Sequence, residues 1–195
     1  MADLTREHLT VARALGESHT AAVVMAGAVL KELYRTLRLG GGVFRPRGMA
    51  EELEAQTLVE LWAYLAALLV SMVERWPTGL QPSDLDPILV VLEGMLVDVQ
   101  GANYRSAYEE YRRRHREGRS SLGVVDSELL GGKYGGLHEE FLVRIALVWM
   151  VPSRATIAPI APSWRVRAAD RTQQAFIGVM SDLKDRNSRA GSGRI

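Results

Sequence analysis

Apolar residues recur at helical spacing along almost the whole chain, and this periodicity restricts the fold more than any other feature. In the first segment the steps alternate between three and four residues, as in a heptad repeat, at Leu4, His8, Val11, Leu15, Ser18, Ala22, Met25 and Val29. A continuous helix over residues 3–39 would be roughly 55 Å long. Gly16 is the candidate break within it, and the glycines from Gly40 onward are expected to end it.

The next segment predicts a central helix over residues 49–76. Its apolar residues cover more than one face, which is typical of a helix with neighbours on several sides. The longest uncharged apolar stretch, residues 61–73, is interrupted only by Ser71. Thirteen residues are too few to span a bilayer as a helix. We therefore expect a buried core helix and no contact with a membrane.

A third helix is predicted from the start signal at residues 83–87 to near Gly118, burying Ile88, Leu92, Met95, Leu96 and Val99. A shorter helix over residues 137–151 and a last helix over residues 164–186 follow. No strand is assigned, although short extended pieces around residues 43–45 and 124–125 are conceivable. The prediction is an all-α helical bundle of three long and two shorter helices.

The segments between the later helices differ in composition from the rest of the chain. Residues 118–136 are rich in glycine and predict a long loop. Residues 151–163 contain three prolines and predict a partly extended C-terminal arm. The small, polar and basic residues 187–195 predict a disordered tail. We expect a helical bundle domain over residues 1–150, followed by a connector, terminal helix and basic tail over residues 151–195.

Charge is distributed unevenly along the chain. Residues 1–100 carry 8 basic and 13 acidic side chains, whereas residues 101–195 carry 16 basic and 10 acidic ones. Of the basic residues, 21 are arginines, whose guanidinium groups pair with carboxylate or phosphate in a bidentate manner. The chain contains no cysteine, which excludes disulfides and thiolate metal sites and is compatible with a reducing compartment. A cytoplasmic location is the expectation.

The strongest candidate contact site lies near the end of the third predicted helix, where three tyrosines share a face and five arginines follow. Aromatic and basic side chains in this arrangement suit phosphate contact and base stacking. Arginines near a helix C-terminus also stabilise the helix dipole or form salt bridges between subunits, and tyrosines anchor a helix to its core. The candidate residues are Tyr104, Tyr108, Tyr111, Arg112, Arg113, Arg114, Arg116 and Arg119.

A second basic group occupies the last predicted helix. It consists of Arg165, Arg167 and Arg171, followed by basic residues of the tail. The acidic first half of another copy of the chain would attract this group as well as a nucleic acid would. We therefore expect it to contact either an acidic neighbouring subunit or a polyanion.

Motifs for catalysis or cofactor binding are absent from the sequence. The glycine-rich segment around Lys133 lacks the Ser or Thr of a phosphate-binding loop and has no strand before it. No His-Glu-x-x-His and no Gly-x-Ser-x-Gly motif occurs. We predict no catalytic residue, no metal site and no cofactor.

These features favour a non-enzymatic helical assembly or adaptor protein that forms a homo-oligomer or joins a larger protein assembly. In this interpretation the arginine-rich half contacts nucleic acid or an acidic neighbouring subunit. One alternative is a protein that binds nucleic acid on its own through residues 112–119. A second alternative is a small all-α enzyme of unknown reaction.

Overall fold

The computed structural model describes residues 5–39, 50–75, 82–117, 119–120, 123–124, 135–150 and 160–192. Nearly all of these residues are helical, which confirms the all-α prediction. The described residues form six helices, of which the last has three successive segments. They are α1 (Arg6–Leu39), α2 (Glu51–Arg75), α3 (Pro82–Leu96), α4 (Ala102–Glu117), α5 (Gly135–Val148) and α6 (Ile160–Trp164, Arg165–Ala169 and Asp170–Ser192).

Helix α1 is continuous through Gly16, the position predicted as a candidate break. Gly16 is buried against α3, where an added Cβ would lie 3.2 Å from Cε of Met95. The missing side chain thus allows α1 and α3 to approach closely, which outweighs the low helix propensity of glycine.

Helix α2 is the centre of the bundle, as its broad apolar coverage predicts. It contacts α1, α3, α4 and α5, and its segment between Leu61 and Val73 is almost completely buried. By length and composition it is the one helix among the described residues with an 18-residue stretch apolar enough to cross a membrane. However, 72% of that 18-residue stretch is buried against the rest of the fold, as in the core helix of a folded domain.

The single long third helix of the sequence prediction is wrong, because the chain forms two helices, α3 and α4. A 3-10 turn over Asp98–Gln100 follows α3, and Gly101 then adopts φ 100° and ψ 179°. This backbone conformation is accessible essentially to glycine alone. Gly101 therefore sets the angle between α3 and α4, which the continuous apolar pattern on either side does not reveal.

Helix α6 differs from the prediction at both ends. It includes residues 160–163, which were expected to be extended, and residues 187–192, which were expected to be disordered. Pro162 is compatible with the first turn, where a backbone N–H has no helical partner. The middle segment of α6, Arg165–Ala169, is π-helical. The remainder of the predicted arm and tail, residues 151–159 and 193–195, lies outside the described residues.

The long predicted loop is described only in part. Residues Arg119–Ser120 and Gly123–Val124 pair as two antiparallel two-residue strands, β1 and β2. Helix α5 begins at Gly135, two residues earlier than expected, and ends at Val148. Residues 118, 121–122 and 125–134, and the segment around residues 43–45, lie outside the described residues.

Aromatic side chains join α2, α5 and α6 in the core. The Tyr64 and Phe141 rings stack with centroids 4.4 Å apart, and the Trp164 ring lies 4.8 Å from that of Phe141. Phe176 and Met180 of α6 are buried in the same cluster. The last helix therefore shares one continuous apolar core with the helices before it.

Candidate assembly interface

The three tyrosines of α4 face the interior of the bundle to different degrees. Tyr111 is fully buried, and its hydroxyl donates to Oε2 of Glu60 at 2.8 Å. Tyr108 is also buried and donates to Glu93 of α3. Tyr104 is partly exposed, with its ring edge-on to that of Trp62 at 6.4 Å. Burial raises the pKa of both Tyr108 and Tyr111 above the ordinary value. Tyr108 and Tyr111 thus anchor α4 and leave no ring surface for base stacking.

Arg112, proposed as a surface contact, is instead buried against α2. Its guanidinium donates to the hydroxyl of Ser71 at 2.7 Å and to the carboxylate of Glu74. Only 4% of the residue is exposed. Arg112 therefore belongs to the packing between α2 and α4, and the contact surface predicted from the sequence loses this residue along with Tyr108 and Tyr111.

Arg113 and Arg114 remain on the surface, but both are paired with acidic residues of α4. Arg113 donates to Glu110 at 2.6 and 2.9 Å and to Glu117 at 2.9 Å. Arg114 donates to Glu110 at 2.8 Å. The hydrogen bond from Arg113 is the largest cause that lowers the pKa of Glu110 to about 2. Much of the positive charge of this helix is consequently compensated within the helix itself.

Arg116 is the exposed arginine of α4 that has no ion pair within the described part of the chain. Arg119 lies two residues beyond the end of α4, in β1.

On α6, Arg165 lies 3.6 Å from Asp170, and Arg167 donates to Glu32 of α1 at 2.9 Å. Arg171 is exposed and is not ion-paired with any described residue.

The two predicted basic groups are not brought together into one surface. Helix α4 packs against α2 and α5, whereas the Asp170–Ser192 segment of α6 packs against α1. Among the candidate arginines whose side chains the structure describes, Arg116 and Arg171 are the exposed ones without an ion pair, and they lie on different helices.

An apolar groove between α1 and α3 was not predicted from the sequence. It has a volume of about 580 Å³ and is open to solvent. Val24 on its α1 side is 72% exposed, and Met95 on its α3 side is 40% exposed. Met95 was predicted to be buried in the third helix together with Ile88 and Leu92, and its exposure corrects that prediction. We call this feature the α1–α3 groove; its lining consists of Arg13, Gly16, Glu17, Thr20, Ala21, Val24, Trp62, Met95 and Leu96.

The floor of the α1–α3 groove is held by a short hydrogen-bonded chain. The indole Nε1 of Trp62 donates to the Leu96 carbonyl at 2.6 Å, and Nε2 of His19 donates to the Trp62 carbonyl at 3.1 Å. Burial lowers the pKa of His19 to about 4, so the ring is neutral near pH 7. These bonds tie α1, α2 and α3 together beneath the groove and make its floor rigid.

Opposite charges lie along the α1 side of the groove. Arg13 and Glu17 are exposed one helical turn apart, and neither is ion-paired within the described ranges. A smaller groove of about 360 Å³ lies on the other side of α1, against α6, and Glu17 lines it together with Asp182 and Arg186. The sequence signal for the α1–α3 groove is the scarcity of charge in α3, where Glu93 is the only charged residue from Pro87 to Val97.

Titratable side chains also meet inside the core. The hydroxyl of Tyr64 and Nδ1 of His138 share a hydrogen bond of 2.6 Å, and both residues are buried. Burial, reinforced by the charge of Arg165, lowers the pKa of His138 to about 4. Within the described ranges, no group of three or more acidic or histidine side chains is arranged to hold a metal ion. The Tyr64–His138 pair joins α2 to α5 within the packed aromatic core.

Comparison with known proteins gives no relative for this chain: no family model, no curated protein and no solved structure matches it.

Proposed function

We propose that this chain is a non-enzymatic helical assembly protein that self-associates through the α1–α3 groove. The observation that carries the proposal is the exposed apolar surface of this groove. Val24 on α1 and Met95 on α3 line the groove and are both exposed. Contiguous exposed apolar surface with polar residues at its margin is typical of protein–protein contacts.

The state of the arginines favours a protein partner over a nucleic acid. A protein that binds a polyanion uses several uncompensated cations on one surface. Here Arg113 and Arg114 are compensated by Glu110, and Arg112 is buried. Arg116 and Arg171, which lie outside the groove lining, remain available for carboxylates of other subunits in a larger assembly.

The oligomeric state tests the proposal directly. Sedimentation velocity over a wide concentration range should show an oligomer whose population increases with concentration. Ala21→Asp should shift it to monomer, because Ala21 lines the groove and the substitution would bury a charge in an apolar contact. Val166→Asp is the matched control, since Val166 is 64% exposed on α6 and lies outside the groove.

A wild-type chain that stays monomeric at the highest concentration would overturn the proposed function. If a monomer instead binds oligonucleotides with a steep salt dependence that is lost in Arg116→Ala and Arg171→Ala, the chain acts on nucleic acid without assembling. An oligomer that dissociates with Ala21→Asp and persists with Val166→Asp is the result we expect.

A further inference from the structure

On the outer face of α1, the exposed residues before residue 15 correspond in reverse order to the exposed residues after it. The exposed positions of this face between Leu9 and Ala21 are arranged symmetrically about residue 15. Under this symmetry Leu9 corresponds to Ala21, Thr10 to Thr20, and Arg13 to Glu17. Apolar positions thus correspond to apolar ones, a threonine to a threonine, and a cation to an anion.

Such a face is complementary to a second copy of itself in the antiparallel orientation. A two-fold axis makes every contact twice, so an interface built on it must be self-complementary. With the axis beside residue 15, Arg13 of each copy lies opposite Glu17 of the other. In a parallel arrangement Arg13 would instead lie opposite Arg13, which is repulsive.

We propose that the occupant of the α1–α3 groove is the α1 helix of a second copy of this chain, packed antiparallel about a two-fold axis beside residue 15. This inference rests on the proposed function and specifies its interface. Leu9 of one copy, itself about half exposed, lies opposite Ala21 of the other. The symmetric strip from Leu9 to Ala21 is about 18 Å long.

Two features of the groove favour a helix as its occupant. The small residues Gly16, Thr20 and Ala21 line its α1 side, and small side chains allow helix axes to approach within about 8 Å. The exposed positions of α1 advance in steps of three and four residues, which is the spacing that packs side by side with another helix. Arg13 and Glu17, unpaired among the described residues, then gain partners on both sides of the two-fold axis, at the centre of the contact.

Charge exchange at the two positions tests the pairing. Arg13→Glu and Glu17→Arg should each weaken the dimer ~10-fold or more, because each puts like charges opposite one another twice. The double variant Arg13→Glu/Glu17→Arg should return to within about threefold of wild type, since it exchanges the two charges and restores both pairs. Arg186→Glu is the matched control, because it makes the same change on the other side of Glu17 and should leave dimerisation unchanged.

Disulfide trapping tests the register and direction, and the chain suits it because it contains no cysteine. A mixture of Leu9→Cys and Ala21→Cys chains should form a disulfide-linked heterodimer under mild oxidation. Leu9→Cys alone should not, because its two copies lie about 18 Å apart along the antiparallel helices. Leu9→Cys mixed with Ala28→Cys, an exposed position beyond the symmetric strip, is the control and should stay unlinked.

The outcomes separate this inference from the proposed function. Rescue by the double charge variant together with Leu9–Ala21 trapping supports both. An oligomer that is indifferent to all charge variants, or one that traps through Leu9→Cys alone, overturns the antiparallel α1 interface and leaves self-association in place. A wild-type chain that is monomeric overturns the inference together with the function on which it rests.

Discussion

Arg144 of α5 and Glu60 of α2 form a bidentate ion pair, with N···O distances of 2.6 and 2.7 Å. Oε2 of Glu60 also accepts the hydroxyl hydrogen bond of Tyr111 from α4. The Arg144 guanidinium lies 5.3 Å from the centre of the Tyr111 ring, within reach of a cation–π interaction. One mostly buried carboxylate thus connects three helices.

Removing the cation of the Arg144–Glu60 pair should lower the free energy of unfolding substantially. Arg144→Met leaves the Glu60 carboxylate, whose side chain is only 12% exposed, without a counter-charge. We expect a loss of about 2–4 kcal/mol in the free energy of unfolding, measured by urea denaturation. Lys31→Met, which breaks the exposed Lys31–Glu54 pair, should cost less than about 1 kcal/mol. Equal losses for the two variants would contradict this assignment.

Neighbouring arginines of α4 should respond differently to the same substitution. Arg112→Ala removes a buried guanidinium together with its bonds to Ser71 and Glu74, and should lower stability by about 2–3 kcal/mol. Arg113→Ala removes an exposed side chain and should leave the urea midpoint almost unchanged. Thermal and urea unfolding of the two variants make the comparison. A larger loss of stability for Arg113→Ala than for Arg112→Ala would contradict the burial of Arg112 in the core.

Stability should decrease as the pH falls from about 6.5 towards 4. Burial lowers the pKa of His19 and of His138 from 6.5 to about 4, so the unfolded chain binds protons in this range while the folded chain does not. Each ring therefore contributes stability that is fully present above pH 6.5 and is lost progressively below it, in total about 3 kcal/mol per ring by pH 4.

Urea denaturation at pH 7.5, 6, 5 and 4 measures this slope. His19→Gln and His138→Gln should each make the slope shallower, since glutamine does not titrate. Both variants should be less stable than wild type at pH 7.5, because each ring is hydrogen-bonded inside the fold. An unchanged slope in both variants would show that other groups control the acid sensitivity.

Alanine substitutions of Gly94, within α3, and of Gly101, at the α3–α4 junction, should change stability in opposite directions. Gly101 has φ 100° and no atom within 4 Å of an added Cβ, so Gly101→Ala costs only backbone strain, about 1–3 kcal/mol. Gly94 is helical, and its added Cβ also meets nothing within 4 Å. Gly94→Ala should raise stability by about 0.5–1 kcal/mol. Differential scanning calorimetry of both variants measures the difference, and a stabilising Gly101→Ala would contradict the observed backbone.

Helical periodicity was sufficient to predict α1, α2 and the all-α class, because both helices bury continuous apolar faces. It failed at Gly101, since apolar residues continue at helical spacing on both sides of the junction and only the backbone conformation separates α3 from α4. It failed again at residues 187–192, whose polar composition is shared by an exposed helical turn and a disordered tail.

The candidate site was less predictable from the sequence than the fold. Arg112 and Arg113 are the same residue type, yet one lies against Ser71 and the other in solvent, because adjacent helical positions point about 100° apart. The α1–α3 groove depends on which faces of two helices remain uncovered after the bundle forms. That information resides in the packing of distant segments.

The central position of α2 has a consequence for how the chain is made. Its apolar surface is covered by α1, which precedes it, and by α3, α4 and α5, which follow it. Between the synthesis of Arg75 and that of Val148, 73 residues must be added, which takes roughly 4–15 s at typical translation rates. During this interval the apolar surface of α2 is only partly covered, by α1 and by those later helices already made, and such surface in a nascent chain is prone to aggregation.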